Sequence, residues 1–168
     1  MELFLHFLKD FFFAFFVAIG FASLFNTPKK VLLIAGLLGS LGHSLKFLLH
    51  EGIGLGLITS TLSGTVLIGL LGIILAHRVH TPPVVFTMPA CITMIPGLYA
   101  YRTMLGFIKL TDESGLSRTT QDLENTVHYF VLTASLLFTL AIGISIGVLL
   151  FRQDSVKMLK FRSRKNKS

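Results

Sequence analysis

The side chains with the most chemistry to offer lie inside apolar sequence. Arg102 follows Pro96 and Gly97 within the run from Val84 to Ile108, 25 residues that are long enough to cross a bilayer. A second group, Gly36, Gly39, His43, Lys46 and His50, recurs at spacings of three and four and so shares one side of a helix. A cation deep in a membrane span costs about 2.5 to 3.5 kcal/mol on insertion scales. The sequence reads as placing no carboxylate in the apolar core of any span to offset Lys46 and Arg102. The expected counter-group is therefore a small carboxylate, held by Arg102, His43, Lys46 and the free amides of a half-helix that starts at Gly97. Tyr99, Tyr101 and Thr93 can add hydroxyls.

Simpler roles stand beside these. Lys46 is near enough to a helix end to snorkel, and His43 can serve as a helix-to-helix hydrogen bond. Arg102 can take a carboxylate from a partner subunit, and Pro89 and Pro96 can merely kink a helix. Two prolines seven residues apart with a glycine directly after the second favour a true discontinuity, with Pro89, Pro96 and Gly97 as the break. At about 1.5 Å per residue, His43 and Arg102 lie roughly 10 Å and 9 Å from the outer ends of their helices, and the break roughly 18 Å in.

The elements that must position these groups follow from composition. In 168 residues, 52% are hydrophobic and 14% charged, and the mean hydropathy is +0.76. That is too apolar for a water-soluble domain, and it predicts an all-α polytopic membrane protein set in a lipid bilayer. Five spans are expected, at about 5–25, 31–49, 57–76, 84–108 and 127–151, with the fourth broken and a basic tail at 152–168. Glu2, Lys9 and Asp10 argue against a cleaved leader, so the first run is kept as a helix. Stripes of small residues, Ala14, Ala18 and Ala22 in the first span, Thr61, Thr65, Gly69, Gly72 and Ala76 in the third, Ser135, Thr139, Gly143 and Gly147 in the fifth, predict close helix packing.

The formal net charge of +7 comes chiefly from the tail, so it marks a cytoplasmic end and not a nucleic-acid site. Counting Lys29, Lys30, Arg78 and the tail, ten basic residues fall inside and three outside, which predicts N-out, C-in. Acidic residues, Asp10 and Glu51 among them, are read as lying on the outer side. No phosphate loop, paired intramembrane carboxylates or His-Glu-x-x-His occurs, so no enzyme, cofactor or metal site is expected. The one cysteine, Cys91, reads as packing.

Phe86-Thr87 followed by Ile95-Pro96-Gly97-Leu98-Tyr99-Ala100-Tyr101 resembles the threonine/serine exporter superfamily, in particular its short membrane subunits. Gly20-Phe21-Ala22, Phe25-Asn26-Thr27-Pro28 and Gly39 to His43 extend that similarity over most of the chain. The resemblance implies an inner-membrane subunit that exports a small dicarboxylate, with succinate as the expected substrate, together with a larger YjjP-like membrane partner. It implies threonine or serine as the runner-up, and a non-transporting assembly subunit as the different-class alternative. It transfers no site residues, and homo-oligomerisation within the complex stays open.

Overall fold

A computed structural model describes residues 2–111 and 120–165. All regular structure in them is helical: α1 (Glu2–Leu24), α2 (Lys29–Phe47) with a π-helical turn at Leu48–Gly52, α3 (Leu57–Val79), α4 (Val84–Ile92), α5 (Gly97–Thr111) and α6 (Thr120–Lys165). Four of these are long and apolar enough to cross a membrane, and a fifth span results if the bent pair α4 and α5 counts as one. The chain is thus an all-α multi-pass membrane protein with a broken fourth span.

The small-residue stripes are where the helices meet. Ala14, Ala18 and Ala22 of α1 are buried, while Phe4, Leu8, Phe12, Phe13 and Phe16 on its other side are exposed. Bulky groups outward and small ones inward is the pattern of a helix that faces lipid, where association depends on close backbone approach. Opposite that stripe, a Cβ on Gly39 would fall 2.6 Å from the Ala18 methyl. On α3, Thr61, Thr65, Gly69, Gly72 and Ala76 are all buried. A Cβ on Gly72 would overlap Thr87 of α4, and one on Gly143 of α6 would overlap Thr65.

The short half-helix α4 sits at the centre, packed against α1, α2, α3 and α6. Phe86, Ala90, Cys91 and Met94 supply much of the core there. Pro82 and Pro83 lead into α4, where missing N–H groups cost nothing. Pro96 ends it, because a proline biases the preceding Ile95 away from helical geometry. The chain closes off with Ile95 N–H donating to the Ile92 carbonyl and Gly97 N–H to that of Ile95, and α5 then restarts with Ala100 N–H on the Pro96 carbonyl. The two half-helices meet at 60°. Pro89, expected to share in the break, lies buried inside α4 with helix on both sides. The discontinuity is confined to 93–96.

What fixes its depth is Met94. Its Sδ and Cε fill a notch between α2 and α3 where Gly42 and Gly64 bring the two backbones together. Beyond the break, α5 leans chiefly on α6, where Gly106 lies so close to Thr126 that a Cβ would overlap it.

Boundaries differ from expectation at both ends. The first helix starts at Glu2, ahead of the span expected at about 5–25, and the last starts at Thr120, ahead of the span expected at about 127–151. The expected tail, 152–168, begins within α6, whose helix continues to Lys165. Of the connection between the spans expected at 84–108 and 127–151, residues 112–119 fall outside the described residues.

Candidate functional site

Two cavities border the break. One, about 280 Å³, is walled by apolar side chains of α4 and α6, among them Met88, Cys91, Ile92, Ile95, Leu140 and Ile144. It has nothing to hold a charged solute. The other, about 310 Å³, is lined by His43, Lys46 and Phe47 of α2, His50 and Glu51 of the π-turn, Leu57, Pro96, Tyr99 and Leu136. It is the candidate site.

Helix α2 runs past it for more than a full turn, so residues at 43, 46, 47 and 50 fall on its wall. The π-turn is marked by Ile53 N–H donating to the Leu48 carbonyl, 3.2 Å. It widens the last turn, and Glu51 joins His50 on the wall. His50 donates from Nδ1 to the Leu55 carbonyl at 2.9 Å, and its Nε2 stands 3.8 Å from Glu51 Oε1. Pro96 and Tyr99 come from the break and the first turn of α5, whose leading amides have no intrahelical partner by the geometry of any helix start. Gly97 N–H is taken by the Ile95 carbonyl just outside the helix, and the helix dipole gives this side a positive potential.

The expectation that no carboxylate in the apolar core of a span offsets Lys46 is modified by Asp10. Asp10 Oδ2 accepts a 2.7 Å hydrogen bond from His43 Nδ1, with both side chains about one-quarter exposed. Asp10 is two turns inside α1 because that helix starts at Glu2, and antiparallel packing of α1 on α2 brings residue 10 level with residue 43. Its carboxylate also acts electrostatically on Lys46. Lys46 itself makes no ion pair among the described residues. The cavity is therefore of mixed charge, not uniformly positive: one ammonium, two imidazoles, one carboxylate in the wall and one behind it.

Of the residues singled out by sequence, the structure brings His43, Lys46, Pro96 and Tyr99 to one cavity. Gly97 starts α5 beside it. Tyr101 does not line the cavity and is exposed, and the Thr93 hydroxyl is taken by the Ala90 carbonyl at 2.8 Å. Arg102 does not line the cavity. Its Nη1 donates to Tyr129 Oη at 3.0 Å, and its guanidinium lies 5.2 Å from the centre of the Tyr129 ring. Tyr129 in turn stacks on Tyr99, with ring centroids 6.2 Å apart. Arg102 thus connects to the cavity through two aromatic rings.

Asp10, Glu51 and Tyr129 escaped sequence reasoning as site residues. A signal for Asp10 existed, since it continues the Ala14, Ala18, Ala22 spacing of four. Nothing in the sequence marks Tyr129.

A helical bundle whose broken span borders a polar cavity has the build of a membrane carrier. Residues 10–150 match the family model described as Threonine/Serine exporter, ThrE, and the chain belongs to that family. It is also similar to an uncharacterized protein of Haemophilus influenzae, 35% identical over 150 residues, covering 89% of this chain and 49% of that protein. The chain thus spans about half the length of this relative. No solved structure matches it.

Proposed function

We propose that the chain is the short, YjjB-type subunit of a two-component secondary exporter of small carboxylates. Succinate is the substrate we assign, and a larger YjjP-like membrane subunit is the partner. The proposed setting is a bacterial inner membrane, N-terminus out and C-terminus cytoplasmic. The observation that carries this reading is Lys46, an ammonium without an ion-pair partner among the described residues, in the wall of a cavity where a broken helix restarts. A carboxylate there gains a charge-assisted hydrogen bond and the positive end of α5.

A second reading is favoured by one observation. Glu51 in the wall and Asp10 behind His43 offer anionic groups to an ammonium, so a zwitterion such as threonine or serine also fits, as the family's description suggests. Co-purification of the chain with its partner, followed by flux of labelled succinate and threonine in proteoliposomes, decides between them. Succinate flux that collapses in Lys46→Gln supports the first reading. Threonine or serine flux without succinate flux replaces it with the second, and no flux of any of them from an assembled complex defeats both.

A further inference from the structure

The cavity holds more titratable groups than carboxylate binding requires, and their pairing is specific. Asp10 accepts from His43 Nδ1 at 2.7 Å, which puts a proton on that nitrogen, because an ionised carboxylate can only accept. The opposite nitrogen, Nε2, is left over, and His43 is one of the residues that line the cavity. A carboxylate behind an imidazole fixes its orientation and stabilises its cationic form. The titratable groups that line the cavity with His43 are Lys46 on its own helix, His50 and Glu51 on the π-turn and Tyr99 on α5, with Asp10 of α1 against its ring; Leu57 of α3 and Leu136 of α6 complete the lining.

With both imidazoles neutral, Asp10 and Glu51 outweigh Lys46 and the site is net anionic. With both protonated, three cations outweigh two anions and the site is net cationic. Resting on the carrier reading above, we propose that Asp10 and His43 form a proton-operated carboxylate clamp, in which protonated His43 donates from Nε2 to the carboxylate that Lys46 holds. Asp10 is the positioning residue and does not touch the solute. Loss of the Nε2 proton turns a donor into a lone pair facing the bound anion, and the anion is released. The clamp serves a dicarboxylate and an amino acid alike, since both present a carboxylate.

The test uses the full chain in lipid nanodiscs, with succinate and threonine as probes. Binding of the probe that the wild type takes should weaken at least about tenfold as the pH is raised and the imidazole gives up its Nε2 proton. In His43→Gln that dependence should flatten. Histidine-labelled NMR, with the His43 signal identified by its absence in His43→Gln, reads the pair directly. Asp10→Asn, nearly isosteric, should move the His43 midpoint, because it removes the charge that faces Nδ1, and Asp10→Glu should restore it. A midpoint unmoved by Asp10→Asn overturns the proposal, as does a pH dependence that survives His43→Gln. If neither probe binds the wild type at any pH, the carboxylate reading falls, while the NMR titration still decides whether the pair behaves as described.

Discussion

Replacing Gly64 by alanine should loosen the whole site from a distance. A Cβ at residue 64 would stand 2.7 Å from the Gly42 carbonyl oxygen and 2.8 Å from Met94 Cε. The methionine tip can move, but the carbonyl belongs to the α2 backbone. That oxygen is roughly 0.7 Å inside ordinary van der Waals distance, so α2 and α3 must part by a comparable amount. Overpacking of this kind costs about 1 to 3 kcal/mol, whereas alanine for glycine in a helix returns up to about 1 kcal/mol of propensity. Gly20 is the control, because nothing lies within 4 Å of a Cβ there. The propensity gain is common to both variants, so their difference reports the clash alone and should be about 1 to 3 kcal/mol in favour of Gly20→Ala. Cys91 supplies the assay, being buried and the single cysteine of the chain: its reaction with a fluorogenic maleimide follows unfolding on heating. The parting of the helices also shifts His43, next to Gly42, away from Asp10, so carboxylate binding should weaken in Gly64→Ala. Equal unfolding temperatures for the two variants would refute the contact at Gly42.

Further outcomes follow from the same geometry. Gly42→Ala meets Ile68 Cγ1 and Cδ1 at 2.5 Å, so the double variant with Ile68→Ala should be clearly more stable than the sum of the single effects predicts, read by the same thiol assay. Lys46→Gln should raise the apparent KM for substrate about 10- to 100-fold, the range for a hydrogen bond to a charged group, measured as flux with the complex intact. Arg102→Ala should weaken export without dissolving the complex, by freeing the Tyr129 ring that stacks on Tyr99, and Arg102→Lys should recover little, because an ammonium lacks the flat guanidinium that rests on Tyr129. Export undiminished in both Lys46→Gln and Arg102→Ala would leave this chain as an assembly subunit.

The frame of the molecule was written in the sequence wherever a repeating local rule governs it. Residues four apart, such as Ala14, Ala18 and Ala22, declare a contact face because a helix has only one way to present them. Pro96 with Gly97 declares a stop because proline lacks a donor and restrains the residue before it. The site was legible only where it sits on one helix, as for His43 and Lys46. Asp10 was misread because a charge near a chain end looks like the edge of a span, and its meeting with His43 depends on how α1 lies against α2. Arg102 and Tyr129 are 27 residues apart on different helices, and no periodicity relates them.

The five residues from Leu48 to Gly52 make one wide coil at the end of α2, holding an amino acid more than the regular pitch would take up. Excising a single residue there would return the segment to ordinary winding and swing His50 and Glu51 out of register with Lys46. The polarity that a solute meets on entering is in that sense a matter of spelling length as well as of letters: one codon too few, and the ammonium faces the opening without its acidic neighbour.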